Sequence, residues 1–189
     1  AALLEINPDL VGWLSIEGTG VDYPVVQNAS MPEYYLKHNF YREFSNHGCP
    51  FVSENCDVEK PSDNVIIYGH HMNDGQMFAE LERYLYPEYW QGHRYIRFDS
   101  IREYRTYEVF AVFLTSGTVG KGFDYHNFVD AREEADFYDF VGSCKMLASY
   151  DTGVNPEYGD KLLCLSTCEY SQTNGRLVVA AVLVESGIK

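Results

Sequence analysis

Residues 162–169 read Leu-Leu-Cys-Leu-Ser-Thr-Cys-Glu, and residues 174–179 read Asn-Gly-Arg-Leu-Val-Val. Both segments are rich in apolar residues, and Asn174-Gly175 is a turn signal between them. The pattern predicts two antiparallel strands joined by a loop. Cys168 would end the first strand and Arg176 would begin the second, so the hairpin predicts that a thiol and a guanidinium lie close together.

Short β-type runs continue along the rest of the chain. They cover residues 11–16, 21–27, 65–68, 94–98 and 104–114, besides 161–167 and 177–184 in the hairpin itself. Gly, Asn and Asp separate many of these runs. Many short strands at close spacing are typical of a mainly β fold, either a barrel or a sandwich.

Two segments have helical spacing instead of strand spacing. Residues 77–85 place Met77, Leu81, Tyr84 and Leu85 on one face. Residues 131–150 predict a second helix, which Asp130 and Glu133 would open as a capping box. The apolar stripe of that helix comprises Phe137, Phe140, Val141, Cys144, Leu147 and Ala148. Because it lies between strand segments, we expect it to be an insertion in a single β domain spanning residues 1–189.

The composition excludes several classes of protein. The chain has 189 residues, with 28 acidic and 14 basic side chains and a formal net charge of −14. A chain this acidic does not suit nucleic acid, because phosphate neutralisation needs clustered Lys and Arg. An aromatic content of 15% excludes an acidic disordered chain. No stretch approaches the roughly 18 consecutive apolar residues of a membrane-spanning helix.

Five cysteines are too few for a disulfide scaffold, and their odd number leaves at least one free thiol. They are Cys49, Cys56, Cys144, Cys164 and Cys168. A disulfide between Cys49 and Cys56 and two free thiols are both compatible with the sequence. A cation next to a cysteine favours the thiolate, which is the nucleophile, so Arg176 makes Cys168 the candidate.

A second segment supplies a partner for a thiol nucleophile. Residues 64–72 read Asn-Val-Ile-Ile-Tyr-Gly-His-His-Met, so a buried strand would carry His70 and His71 to its end. Histidine transfers protons near neutral pH, and a Cys–His pair from distant parts of a sequence is the usual thiol-nucleophile arrangement. Taken singly, each of these residues also fits a structural role. A zinc site of Cys164, Cys168, His70 and His71 is a further alternative, although its spacing differs from the usual Cys-x2-Cys to Cys-x4-Cys turn.

These segments together resemble the sortase family, and class B sortases in particular. Leu-Ser-Thr-Cys at 165–168 with the downstream Arg176 is similar to the sortase Thr-x-Thr-Cys segment and its arginine. Tyr68-Gly69-His70 is similar to the segment that carries the family's histidine. The N-terminal part adds Gly12-Trp13-Leu14, residues 21–27 and Tyr35-Leu36. The order of these segments makes the resemblance specific over about residues 7–185.

The resemblance implies an eight-stranded β-barrel with an N-terminal helical segment at residues 1–10. The helix at 131–150 would occupy the loop between strands six and seven. The implied activity is that of an extracellular cysteine transpeptidase of a Gram-positive bacterium, anchored in the membrane by a segment outside this chain. Such enzymes cleave a C-terminal sorting motif, of Asn-Pro type in class B, at the carbonyl of its threonine through a thioacyl intermediate. A cell-wall precursor peptide or a pilin lysine supplies the accepting amine, and no cofactor or metal is expected.

Residue by residue, the resemblance implies that Cys168 is the nucleophile, His70 the general acid and base, and Arg176 the group that binds the oxyanion or orients the substrate. The implied substrate-binding residues are Tyr68, Ser166, Leu36 and Glu169. Leu36 would line the pocket for the proline of the motif, and His71 would point away from the site. Pro32 stands where many class B members have Asn, so motif recognition on that wall stays open.

Two other functions remain open for the same set of residues. A cysteine peptidase would use the same three groups but hydrolyse the thioacyl intermediate. A non-catalytic surface binding module could retain the barrel, but it would have no need of an activated thiol with a base and an oxyanion donor.

Overall fold

The computed structural model describes residues 2–118, 120–169 and 174–189. Within these ranges the chain forms eight strands: β1 (Leu10–Ser15), β2 (Asp22–Val26), β3 (Phe51–Val52), β4 (Asn64–Tyr68), β5 (Tyr95–Ser100), β6 (Glu103–Ser116), β7 (Leu162–Glu169) and β8 (Gly175–Ile188). They close into a barrel in the order β1-β2-β3-β4-β7-β8-β6-β5. This architecture confirms the predicted fold class. The sequence pattern misses β3, because a strand of two residues has no readable alternation.

Two strand pairings position the candidate residues. Strand β4 runs parallel to β7, with Tyr68 paired to Ser166, so both strands end at the same edge of the sheet. Strand β8 runs antiparallel to β7, and Cys168 pairs directly with Arg176, as the hairpin predicts. Three consecutive strands of the barrel therefore deliver their ends to one place.

The barrel core is built from the long central strands. Strands β6 and β8 have 14 residues each and pair along nearly their whole length. Val112 and Val179, which are register partners on these two strands, are buried, as is Phe98 from β5. Burying side chains of this size stabilises the fold by roughly 1.5–3 kcal/mol each, so the barrel is a rigid base for the groove at its edge.

Three α-helices accompany the strands in the described part of the chain: α1 (Ala2–Ile6), α2 (Pro87–Gly92) and α3 (Glu134–Leu147). Helix α1 lies within the expected N-terminal helical segment, and α3 lies between β6 and β7 as expected. Helix α3 packs on β6, and its Phe140 ring stacks on Phe128 with the ring centroids 4.3 Å apart.

The capping box predicted for α3 is wrong. The helix begins at Glu134, and the Asp130 side chain accepts a hydrogen bond from a different segment of the chain. Its Oδ1 accepts the Asp63 N–H at 2.9 Å, and Asp63 Oδ2 accepts the Ala131 N–H at 2.9 Å. This reciprocal pair ties the residues before α3 to the start of β4, so the chain cannot turn into the helix at Asp130. Leu147, at the C-terminal end of the predicted stripe, is also 44% exposed.

The helix predicted at residues 77–85 is also only partly correct. Residues Ala79–Leu85 form a 3-10 helix rather than an α-helix. Met77 lies outside it with a φ of 58°, and its N–H donates to the Tyr23 hydroxyl at 3.0 Å. The sequence pattern misses α2, which has Pro87 in its first turn and is too short to show periodicity.

Candidate active site

A groove of about 730 Å³ lies over the shared strand ends. Six of the seven residues predicted from the sequence line it: Cys168, His70, Arg176, Tyr68, Ser166 and Leu36. The side chain of the seventh, Glu169, lies outside the described part of the chain, as do residues 170–173. Sequence reasoning assigned no role to several further lining residues, among them Glu33, Phe51, Glu54 and Thr167.

The strand register explains why three distant residues meet here. His70 lies two residues beyond Tyr68 and Cys168 two residues beyond Ser166, and Tyr68 and Ser166 are partners in the parallel pair. Neighbouring strands lie roughly 4.8 Å apart, so the two chains leave the sheet side by side. Arg176 is the register partner of Cys168 on the other side.

Cys168 is less buried than the other four cysteines. All five are free thiols. Burial raises the pKa of Cys49 and of Cys164 to about 12 and that of Cys56 to about 11, and it raises the pKa of Cys144 strongly. These thiols therefore stay protonated near neutral pH. Cys168 is partly exposed, so it is the cysteine that a substrate in the groove can reach.

Cys49 and Cys56 form no disulfide with each other, and this resolves the alternative that the sequence leaves open. Their sulfur atoms contact different carbonyl groups. Cys56 Sγ donates to the Asn64 carbonyl at 3.4 Å, whereas Cys49 Sγ faces the Pro24 carbonyl at 3.6 Å.

The His70 imidazole has a defined tautomer. Its Nε2 lies 2.7 Å from the backbone carbonyl of Leu36. Because a carbonyl only accepts, Nε2 must carry a proton and donate to Leu36, which leaves Nδ1 as the basic nitrogen of the neutral ring. Leu36 thus contributes its carbonyl to orienting the histidine as well as its side chain to the groove wall.

Gly48 closes the other side of this histidine. It has a φ of +64°, and a Cβ at this position would lie 2.4 Å from the Tyr35 carbonyl oxygen and 3.2 Å from His70 Cδ2. Only a residue without a side chain allows the backbone to approach the ring so closely.

We expect Gly48→Ala to destabilise the protein by about 1–3 kcal/mol and to shift the His70 ring, because it adds both left-handed strain and a backbone clash. Denaturant unfolding and NMR of the imidazole resonances would measure the two effects. Gly153→Ala is the matched control, since Gly153 has a φ of +74° but no atom within 4 Å of the position that a Cβ would occupy there. Equal losses in the two variants would contradict the contact argument.

His71 lies apart from its neighbour. Its Nε2 is 3.1 Å from Glu82 Oε2, and His71 is not among the groove-lining residues. The two histidines therefore point to different surroundings, as the alternation along an extended backbone predicts.

The Arg176 guanidinium is held from two directions. Its Nη1 donates to the Gly175 carbonyl at 2.9 Å. On the other side it packs against Gly117, where a Cβ would lie only 3.0 Å from Arg176 Cζ. Among the described residues no carboxylate pairs with Arg176. Donors of the guanidinium fork are therefore available to a ligand in the groove.

Ser166, which lines the groove, is hydrogen-bonded to a buried tyrosine. Ser166 Oγ lies 2.5 Å from the hydroxyl of Tyr125, a buried residue that sequence reasoning missed. Tyr125 begins the 3-10 helix Tyr125–Asn127 before α3, which is too short to show a pattern that would indicate this contact. Burial raises the pKa of Tyr68 above its usual range, so its phenol stays protonated.

The zinc alternative finds no support in this arrangement. Cys164 is fully buried and lies outside the groove, and His71 pairs with Glu82. No group of three or more metal-ligating side chains occurs within the described ranges.

The sequence and the fold agree with known proteins. The family model described as the sortase domain matches residues 14–184. The chain belongs to the sortase family. Sortase B of Staphylococcus aureus is 34% identical over 97% of this chain and 74% of its own length. Sortase B of Listeria monocytogenes is 34% identical over 96% of this chain and 72% of its own length.

Solved structures of sortases give the same result. A Staphylococcus aureus sortase B–substrate complex superimposes with a TM-score of 0.89 at 32% identity, covering 97% of this chain and 83% of the other. These similarities confirm the resemblance seen in the sequence. The protein is a sortase-type cysteine transpeptidase of class B.

Proposed function

We propose that this sortase cleaves an Asn-Pro-type sorting motif near the C-terminus of secreted proteins and transfers the acyl fragment to an amine of the cell wall or of a pilin lysine. Cys168, His70 and Arg176 carry the reaction. The observation that supports this most strongly is the pairing of the one partly exposed thiol with an arginine, at the edge where β4 delivers His70.

In the first half of the reaction the Cys168 thiolate attacks the carbonyl carbon of the motif's threonine. A C–S bond forms, and the carbonyl oxygen becomes an oxyanion. When the C–N bond breaks, His70 gives a proton to the leaving amine, and a thioester remains on the enzyme. Because Nε2–H is bound to the Leu36 carbonyl, the proton is exchanged at Nδ1.

In the second half an acceptor amine attacks the thioester. His70 takes the proton from the incoming nitrogen, the C–S bond breaks, and the thiolate of Cys168 is restored. The product is a new amide bond, so no redox step and no cofactor is needed. Water in place of the amine would give the peptidase reaction.

Arg176 binds the oxyanion in both tetrahedral intermediates. Its guanidinium lies beside the thiol and carries donors without a carboxylate partner in the described part of the protein. Donors fixed in advance at the place where charge develops are among the largest contributions to catalysis.

Intact-mass spectrometry with a panel of sorting-motif peptides tests the proposal. Each peptide is incubated with the protein, with and without an amine acceptor, and Cys168→Ala is the control. We expect an adduct on Cys168 that disappears as a peptide–amine product forms. An adduct that only hydrolyses would favour the peptidase, and no adduct with any peptide would contradict the proposed substrate.

Arg176→Lys is expected to slow acyl-enzyme formation by about 10²–10³-fold, the loss usual when an oxyanion donor is removed. A lysine keeps the charge but cannot reproduce the planar fork or its packing against Gly117. Single-turnover acylation measures the effect. Arg132→Lys, which changes an exposed arginine paired with Asp136, is the control and should acylate at the parent rate. A parent-like rate for Arg176→Lys would show that charge alone suffices.

We place the enzyme on the extracellular face of the membrane of a Gram-positive bacterium. The support is its similarity to sortase B proteins of Staphylococcus aureus and Listeria monocytogenes. In the described residues no helix has the length and apolar character to cross a bilayer.

A further inference from the structure

We propose that the hydrogen-bonded pair of His47 and Asp74 is a latch between the two loops that enclose the His70 ring, and that both are positioning residues which keep this ring in its reactive orientation. The inference goes beyond the three residues that carry the proposed reaction. It rests on the proposed function, because it concerns how the general acid and base of that reaction is held.

The first loop, residues 37–50, holds the His70 ring from one side. Leu36, immediately before the loop, accepts the Nε2 proton of the ring with its carbonyl at 2.7 Å. Gly48, near the end of the loop, lies so close that a Cβ there would be 3.2 Å from His70 Cδ2. The orientation of the ring therefore depends on where the backbone of this loop lies.

The second loop, residues 71–77, begins directly after the same histidine and returns to it. The Phe78 N–H donates to the His70 carbonyl at 2.8 Å, which closes the loop at its base. His71 and Met77 form an isolated antiparallel bridge just inside that closure. The base of the loop is thus fixed to the backbone of the histidine, and its tip extends away from it.

A side-chain contact joins the two loops. His47 Nε2 lies 2.7 Å from Asp74 Oδ2. Because a carboxylate only accepts, Nε2 donates whether the His47 ring is neutral or protonated. Asp74 Oδ1 also accepts the Gln76 N–H at 3.0 Å, which fixes the carboxylate within its own turn. The bonds from His47 and Gln76 lower the pKa of the Asp74 carboxyl below its ordinary value, so the acceptor stays ionised near neutral pH.

The latch acts on the ring through the residues next to it. His47 directly precedes Gly48, whose backbone packs on the ring. Asp74 lies in the loop that closes on the His70 carbonyl. Breaking the contact would let the tips of the two loops separate and the ring turn away from its position. A displacement of about 1 Å in a reacting group can cost roughly 10²-fold in rate, so a partial loss of order has a measurable effect.

The kinetic test compares two substitutions of one residue, His47→Ala and His47→Gln. Alanine removes the donor, whereas the glutamine amide can place an N–H near the position of the imidazole Nε2. Transfer of a sorting-motif peptide to an amine acceptor is measured at steady state. We expect His47→Ala to lower kcat about ten-fold with an unchanged KM, because the latch orients the histidine and does not bind the peptide. His47→Gln should recover most of that loss.

Two further comparisons test the coupling. In an Asp74→Ala background, His47→Ala should cause no additional loss, since the contact is already broken. Asp136→Asn is the matched control, because Asp136 also forms an ion pair, with Arg132 on α3, far along the chain from the two loops. Its kcat should equal that of the parent protein.

NMR of the histidine side-chain nitrogens in the protein without substrate reports the ring directly. The His70 Nε2–H signal should lose its hydrogen-bonded shift in His47→Ala and regain it in His47→Gln. The backbone amide signals of β7 and β8 should stay unchanged in both variants, which separates a local displacement from a loss of fold.

Three results would overturn the inference: a parent-like kcat and His70 signal in His47→Ala, equal losses in His47→Ala and His47→Gln, or fully additive losses in the double variant. If the parent protein transfers no peptide to any amine, the proposed function fails, and the NMR comparison alone decides about the latch. A displaced His70 signal in His47→Ala would then support it, and an unchanged signal would overturn it.

Discussion

Cys168→Ala is expected to abolish acyl-enzyme formation while the barrel remains folded. Removing the nucleophile of a catalytic triad lowers turnover on the order of 10⁶-fold, which would place this variant below detection. No other cysteine can replace Cys168, because burial keeps the remaining four thiols protonated and out of the groove. The fold should survive, since Cys168 is partly exposed at a strand end and contributes little to the core.

The matched control for this experiment is Cys164→Ala, on the same strand. Cys164 is fully buried, so its replacement should cost stability, about 1–2 kcal/mol for a small core cavity, and leave acylation intact. Intact mass after peptide addition measures the adduct, and urea unfolding measures stability. An adduct on Cys168→Ala would show that another cysteine is the nucleophile. If Cys168→Ala unfolds at the same urea midpoint as the parent protein, the absence of an adduct is due to the missing thiol and not to unfolding.

His70→Ala is expected to lower kcat/KM by about 10²–10⁴-fold, the range that general acid–base catalysis supplies. The ring is oriented by the Leu36 carbonyl and packed against Gly48, and in the proposed mechanism the proton is transferred through its Nδ1. Single-turnover rates of acylation and of transfer to an amine measure the effect.

His71→Ala gives the contrast. His71 pairs with Glu82 outside the groove, and an exposed pair of this kind contributes only about 0–1 kcal/mol, so a change of a few-fold at most is expected. If His71→Ala were the more damaging substitution, the catalytic histidine would have been assigned wrongly.

Short-range patterns carry most of the information about the site. The hairpin at residues 162–179 predicts the Cys168–Arg176 neighbourhood, because strand alternation and an Asn-Gly turn are local properties. The run that ends at Tyr68-Gly69-His70 predicts a histidine at a strand end for the same reason. The resemblance to sortases joins these segments into one site, and the closed barrel and the family comparisons confirm that fold.

Local patterns fail where a long-range contact decides the outcome. The Asp63–Asp130 exchange prevents the capping box that the sequence favours, and the Tyr23 hydroxyl holds the Met77 backbone outside a helix. Strand β3 exists only because β2 and β4 flank it. The first two contacts join residues that are 67 and 54 positions apart in the sequence. Strand β3 is too short to have a pattern of its own.

The sequence by itself determined the strand-rich fold class and the pairing of the proposed nucleophile with its arginine, since each depends on the order and alternation of neighbouring residues. The choice of His70 as the proposed histidine came from the resemblance to sortases. Only the tertiary structure decided that β4 and β7 run in parallel register, which brings His70 to Cys168. It also decided that Glu33, Glu54 and Thr167 share the groove with them. Such convergence depends on how the barrel closes, because side chains from separate loops meet only after non-local strand pairing has fixed where each loop begins and ends.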